Sequence, residues 1–446
     1  MKKILLLGAG KSTPFLIKYL AQNAQQYHWN ITVADMQFSS DQQTIFSFPA
    51  VQTIQTDFND ALTLENLIRE AHIVISMLPP FLHIDIIKLA LKHNIPVATA
   101  SYATPEISSL HEEAVSKGIP VLMEMGLDPG IDHMSAMKEI DDIRNSGGTL
   151  TGFKSYTGGL VAPDSDNNPW NYKITWNPRN VILAGQGTVK YLYENKHKYI
   201  PYHQLFTRTY NTSINNYGSF EGYANRDSLK YLELYGLKEI PSFIRGTLRR
   251  PGFCEGWNIL VQLGVTDDSF TIENSDKLTR ADFFSSFLPE NVNTYQKLFD
   301  FFNINDTSHT ASKLKFLDFF SDTRIKISSG SPARILQEIM EDKWKLQQGD
   351  KDMVVMQHEF TYKIKDKTRV RLSSLVDIGE NSIYTSMART VGIPLGIGVK
   401  LILTGQLTGN GVIIPVKQQL YTAVLHELAE WGIKFETEEK IVEGNS

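Results

Sequence analysis

The chain of 446 residues contains a single cysteine, Cys254, so no intramolecular disulfide can staple it. Sparse cysteine fits a reducing compartment. Excess charge is also lacking: 44 Lys and Arg stand against 49 Asp and Glu, a net charge of −5. That balance leaves no electrostatic footprint for nucleic acid or an anionic membrane. It leaves room for an anionic small molecule, because a few buried arginines can bind one without moving the total. No apolar run reaches the roughly 18 residues of a membrane span. The best stretch, 392–403, contains Lys400. The N-terminus, MKKILLLGAG, has four apolar residues before a glycine turn, against roughly 7–15 in a secretory signal. These features together predict a cytoplasmic protein. No Cys/His cluster has metal-ligand spacing, so no metal is expected. There is no G-x-S-x-G elbow, P-loop lysine motif, internal repeat or low-complexity segment.

What the chain does contain is an alternation. Ile4–Leu7, Ile31–Ala34, Val51–Thr56, Ile73–Met77, Pro96–Ala100 and Pro120–Met125 read as strands, most of them continuous apolar runs. Such runs suit parallel strands buried on both faces. Pro14–Asn23, Thr63–Ala71, Phe81–His93 and Pro105–Lys117 have helical spacing. Repeated β-α units predict an α/β fold with a Rossmann-type, doubly wound parallel sheet. After about residue 126 the texture changes to glycine pairs, aromatics and short β-like runs such as Phe153–Tyr156 and Ser242–Leu248. Helical patterns dominate 266–350, with Ala281–Phe287, Val292–Phe302 and Pro332–Trp344. Met353–Phe360 and Thr368–Leu375 read as a hairpin. Ser382–Val391 reads as a helix, and Gln418–Trp431 as a final helix before a polar end expected to fray.

Gly8-Ala9-Gly10 follows the first strand and precedes a helix, and Lys11-Ser12 completes the loop. Glycines there let the backbone approach a pyrophosphate seated on helix N–H groups. Thr13 replaces the third glycine of the fingerprint. Asp35, followed by Met36, ends the second strand 25 residues after Gly10, close to the roughly 20 expected of a ribose-binding acid. A carboxylate there accepts from both ribose hydroxyls and repels a 2′-phosphate. No Arg or Lys follows in Asp35–Asp41, so NAD is favoured over NADP. Asp57 can reach the adenine side. Ser76-Met77-Leu78 and Thr99-Ala100 end later strands at the switch point, where the nicotinamide half is expected.

The segment Gly126-Leu-Asp-Pro-Gly-Ile-Asp-His133 resembles the GLDPGxDH signature of glutamate-forming saccharopine dehydrogenases. Tyr156-Thr-Gly-Gly-Leu160, Asn168-Pro169, Tyr172-Lys173, Trp176-Asn-Pro-Arg179, Asn225-Arg-Asp-Ser228, Arg245-Gly-Thr-Leu-Arg249, Met356-Gln-His-Glu-Phe360, Met387-Ala-Arg389 and Gly398-Val-Lys400 follow in family order. The resemblance implies oxidation of saccharopine by NAD(P)+ and water to L-glutamate and 2-aminoadipate 6-semialdehyde. It also implies three parts. Residues 1–125 and 390–446 would form the dinucleotide-binding domain. Residues 126–265 and 351–389 would form a mixed α/β substrate-binding and dimerisation domain, and 266–350 an all-helical insert. A homodimer is implied. With no segment for the lysine-condensing half, a monofunctional enzyme is expected.

Saccharopine carries three carboxylates, which arginine forks match bidentately. The resemblance makes Arg226 and Arg245 the first substrate contacts, with Asn225, Gly246 and Thr247 beside them. Arg249 and Arg250 rank lower, since paired arginines also serve as a solvated face. Ser101 and Tyr102 match the substrate loop, and Tyr102 is a candidate proton donor. Asp128, with Leu127, faces the nicotinamide. It either binds the substrate ammonium or assists water attack, and N-capping of the next helix is its bland alternative. Trp176 either reaches the cofactor or sits in the core. His133 and His358 read as structural, and Cys254 is assigned nothing. Thr157 stands where many members have cysteine, which argues against a thiol role there. Two other classes compete: an imine-reducing dehydrogenase for another amine (carboxyspermidine or lysine 6-dehydrogenase type), and a dinucleotide-binding sensor without catalysis.

Overall fold

The structure is a computed structural model describing residues 1–38 and 45–442. The last part of the cation-free stretch after Asp35, residues 39–41, lies outside the described residues. Two compact units divide the chain. The first comprises residues 1–150, 364–366 and 375–437, and the second comprises 151–363, 367–374 and 438–446.

The first unit is built on β1 (Lys2–Leu7), β2 (Trp29–Asp35), β3 (Val51–Gln55), β4 (Ile73–Ser76), β5 (Val97–Ala98) and β6 (Pro120–Leu122). With strand Gly411–Ile413 they form a seven-stranded sheet, ordered 411–413, β6, β5, β4, β1, β2, β3. Every pairing is parallel. Leu6, Leu7, Ile31, Val33, Ile73 and Val74 are fully buried, as strands covered on both faces require. From β1 the chain winds outward through β2 and β3, then returns to the other side of β1 for β4, β5 and β6. The winding therefore reverses between β1 and β4. The segment 105–117, expected as one helix, is two short ones, Pro105–Ser108 and His111–Ser116.

Helix Ser386–Leu403 runs twelve residues past the end expected at Val391. Gly392 and Pro394 both lie inside it. By length and composition it could cross a membrane, but 78% of it is buried here. It packs on helix Pro14–Tyr27 so closely that only glycine fits. A Cβ on Gly392 would lie 2.7 Å from the Leu16 nitrogen, and one on Gly396 would lie 2.4 Å from the Tyr19 ring. Close approach repays the helix propensity lost at glycine. Lys400 pairs with Glu427, which also accepts from the Tyr19 hydroxyl.

The second unit carries a nine-stranded mixed sheet. Strand Ser242–Arg249 lies parallel to Thr149–Val161 and antiparallel to Gly218–Ala224. Trp170, Trp257, Trp344, Tyr172 and Phe253 pack edge-to-face or stacked in its core. Residues 266–350 cluster with this unit. They are not all-helical, because Ile272–Glu273 pairs with Ser329–Gly330. Helix Ile131–Asn145 and residues 375–389 group with the first unit, beyond the boundaries read from sequence. The polar end does not fray within the described residues. Glu436–Val442 adds a strand beside Lys367–Ile378. There the Tyr362 hydroxyl and the Arg369 and Arg371 guanidinium groups hold the Glu439 carboxyl down at about 2.

Gly396→Ala should displace Tyr19 and loosen the two helices. The expected cost is about 1–3 kcal/mol, measured by urea unfolding; an unchanged midpoint would refute the close contact.

Candidate active site

The nucleotide loop sits where β1 gives way to helix Pro14–Tyr27. Gly8 packs against the end of β4, where a Cβ would lie 2.9 Å from the Met77 carbonyl oxygen. A Cβ on Gly10 would meet nothing within 4 Å, so the loop has open room above it. Thr13, in place of the third glycine, is buried at the N-cap position and makes no side-chain cap bond to the helix. Its hydroxyl donates to the Gly10 carbonyl at 2.8 Å and closes the loop. Lys11 is exposed and Ser12 half-buried.

Asp35 reaches back to this loop. Its Oδ2 accepts from the Ala9 N–H at 2.5 Å and its Oδ1 from the Gln37 N–H at 3.2 Å. A carboxylate offers about four lone-pair sites, so acceptors remain for ribose hydroxyls. The loop, the helix N-terminus and this acid fit a dinucleotide. Met36 is exposed beyond them. Asp57 is exposed and accepts from the Asn59 backbone and side-chain nitrogens, both at 2.9 Å.

The ends of β4, β5 and β6 bring a second set together. Ser76, buried at the end of β4, bonds His83 Nδ1 at 2.8 Å. His83 Nε2 bonds the Ser101 hydroxyl at 2.7 Å. Burial alone pushes the His83 imidazole down to about 4, so it is neutral at physiological pH. Thr99 is buried and accepts from the Ser101 N–H; Ala100 lies between them. Tyr102 donates to Asp128 Oδ1 at 2.8 Å. Asp128 does not N-cap the next helix. The N-cap of that helix, Ile131–Asn145, is Gly130, whose φ of +144° and contact with Gly126 leave no space for a side chain. Leu127 is buried in the same turn.

Behind Asp128 lies a buried polar chain. His133 Nε2 meets Glu124 Oε2 at 2.7 Å, and His133 Nδ1 lies 3.6 Å from Asp132. Glu124 and His83 were not found from sequence. Glu124 had one visible signal, an acid interrupting the apolar run of β6 and its extension.

In the second unit, Asn225 donates its N–H to the Arg245 carbonyl at 2.8 Å. The Arg245 guanidinium lies 4.1 Å from the Tyr231 ring centroid, and the residue is 8% exposed. Thr247 pairs with Thr157 and Tyr223 across three strands, and Gly246 lies beside Tyr156. Arg226 is exposed, with backbone φ +50°. Arg249 is not a solvated arginine: it is buried against the rings of Tyr172, Tyr223 and Phe253. Trp176 lies in a loop of this unit, its indole N–H 3.4 Å from the Tyr172 hydroxyl. His358 is buried between Phe153 and Phe360, a structural position. Burial pushes the Cys254 thiol well up, so it is no nucleophile.

A parallel sheet whose winding reverses beside a glycine loop, with an acid at the end of the second strand, fits the class of dinucleotide-binding proteins. Comparison with known proteins narrows that class. Residues 4–122 match the saccharopine dehydrogenase NADP binding domain and residues 126–433 the saccharopine dehydrogenase C-terminal domain. The chain belongs to the saccharopine dehydrogenase family. It is 33% identical to saccharopine dehydrogenase [NADP(+), L-glutamate-forming] of Schizosaccharomyces pombe, over 98% of this chain and 99% of that one. It is also 33% identical to the Saccharomyces cerevisiae protein of the same name, over 97% and 98%. The solved apo saccharopine dehydrogenase (L-Glu forming) from Saccharomyces cerevisiae superposes with a TM-score of 0.87 at 32% identity, covering 99% of this chain and 100% of that one.

His83 makes stability depend on pH. Its folded pKa lies below the unfolded value near 6.5, so the unfolded state binds more protons between about pH 4 and 6.5. Stability is therefore full above pH 6.5 and falls on acidification. Unfolding at pH 7.5 and pH 5 should show His83→Gln losing about 2 kcal/mol less than the parent; equal losses would refute a buried neutral histidine.

Proposed function

We propose that this chain is an NAD-using, L-glutamate-forming saccharopine dehydrogenase. Saccharopine, NAD+ and water give L-glutamate, 2-aminoadipate 6-semialdehyde and NADH with release of a proton. Near full-length identity to two enzymes of that name carries the substrate. Both names print NADP(+), and Asp35 is what turns the proposal to NAD. A 2′-phosphate beside its carboxylate would place like charges together, at a cost of several kcal/mol.

The bound nicotinamide supplies the hydride acceptor. The residues around it bind and move protons. The Gly10 amide and the N-terminus of helix Pro14–Tyr27 would hold the pyrophosphate, the Gly8 and Ala9 amides being taken by Ala34 and Asp35. Asp35 accepts from the ribose hydroxyls. The substrate loses a hydride from the carbon beside its secondary amine, and water then adds to the imine. Asp128 takes a proton from that water, and the Tyr102 hydroxyl, bonded to Asp128 Oδ1, orients the carboxylate. Arg245, Asn225 and Thr247 bind substrate carboxylates, with Arg245 stiffened by its stack on Tyr231. Arg226, which is exposed, would join them as a second arginine fork.

Mixing the protein with saccharopine should form reduced nicotinamide at least about tenfold more efficiently with NAD+ than with NADP+. Turnover mainly with NADP+ would keep the enzyme and overturn the role of Asp35. Silence with both would reject the substrate. In the same assay Arg245→Ala should lose on the order of 100-fold in kcat/KM with folding retained.

The homodimer implied by the resemblance is also part of this reading, in the reducing cytoplasm that a lone thiol suits. Light scattering should give twice the 50.4 kDa chain mass; a single-chain mass at assay concentration would reject it.

A further inference from the structure

Besides the bonds from the Ser101 N–H to Thr99 and from Tyr102 to Asp128, three ties hold the loop Ser101–Ala103. The His83 imidazole takes the Ser101 hydroxyl at 2.7 Å. The Ser101 carbonyl accepts from the Glu124 N–H at 3.1 Å. The Ala103 N–H donates to Glu124 Oε1 at 3.0 Å. Two of the three ties thus belong to one residue, and they bracket Tyr102. The other oxygen of the same carboxylate, Oε2, bonds His133 Nε2 at 2.7 Å. His133 rises from the first turn of the helix that follows Asp128. Glu124 therefore joins the loop carrying the phenol to the turn and helix carrying its acceptor.

The local chemistry fits a designed constraint. Glu124 is 2% exposed, and a buried carboxylate is costly unless it is hydrogen-bonded or paired. Its backbone lies in the left-handed region, φ +59°, which a non-glycine residue adopts at a cost. An aliphatic residue would fill this buried position just past β6 without that desolvation cost. What the acid supplies there is hydrogen bonds to two segments at once.

We propose that Glu124 is a positioning residue for the reaction: it clamps the Ser101–Ala103 loop to helix Ile131–Asn145 and so sets the Tyr102–Asp128 hydrogen bond. It touches neither substrate nor cofactor and acts through those two residues. The inference rests on the proposed saccharopine reading for its kinetic consequence, but its geometric content stands apart from it.

Three variants test it. Glu124→Ala removes both side-chain ties. Glu124→Asp keeps the charge but is one methylene too short to reach Ala103 and His133 together; it carries the test if Glu124→Ala does not fold. Glu124→Gln retains an acceptor for Ala103 and is the rescue. Steady-state turnover with saccharopine, nucleotide binding by fluorescence, and a crystal structure are measured for each. Glu124→Ala or Glu124→Asp should lose on the order of 100-fold in kcat, with the nucleotide dissociation constant unchanged within about twofold. Glu124→Gln should recover to within about tenfold of the parent. In the crystal structure of the impaired variant, the Tyr102 hydroxyl should have left Asp128. A folded variant with parental kcat, or with Tyr102 still bonded to Asp128, would overturn the proposal. So would parallel loss of nucleotide binding, which marks general structural damage. If the parent itself fails to turn over saccharopine, the functional reading falls instead, and the Tyr102–Asp128 distance in the variants still decides the positioning claim.

Discussion

A parallel sheet places every carboxyl end on one edge, and the first unit depends on what that edge does between β1 and β4. Because the chain winds one way through β2 and β3 and the other through β4, β5 and β6, the loops after β1 and β4 part there. The glycine loop fills one side of the gap. Ser76, Ser101, Tyr102 and Asp128 come from strand ends on the other. Residues 35, 76, 101 and 128 meet around one edge although far apart in the chain, and no side chain in that set had to be aimed by a long loop.

The edge is useful only if the helix behind the glycine loop is held still. Helix Pro14–Tyr27 presents its N-terminal amides to the loop, and helix Ser386–Leu403 braces it from the far end of the sequence. The brace works through glycines at 392 and 396, which let the backbone of one helix approach the side chains of the other. The loop is then closed by Thr13, whose hydroxyl does with a hydrogen bond what the missing glycine does elsewhere by close packing.

Much of the first unit was legible because buried parallel strands announce themselves as apolar runs. The motif from Gly126 to His133 likewise marked the tight turn that leads into helix Ile131–Asn145. What escaped was set by partners remote in sequence. The long helix was cut short at Val391, since the glycines beyond it gain their reason only from the opposing helix. The C-terminal strand was read as frayed because Glu439 is held by Tyr362, Arg369 and Arg371, about seventy residues away. Arg249 looked like one of a solvated pair; only the three aromatic rings around it show a cation enclosed by π faces. Glu124 and His83 belong to no motif, and their roles exist only in their hydrogen bonds.

The neutrality of His83 has a further consequence for the site. A neutral imidazole has one donor nitrogen and one acceptor. With Ser76 on Nδ1 and Ser101 on Nε2, the two serine hydroxyls cannot both donate to the ring, nor can both receive its proton. If Ser101 donates, Ser76 accepts, and the reverse. A charged ring would donate to both and free each hydroxyl to turn elsewhere. Burial, by removing the charge, therefore couples the hydroxyl at the end of β4 to the one at the end of β5. The polar surface along that edge has two self-consistent hydrogen-bond patterns, and a ligand that fixes the proton of either serine selects the pattern for both.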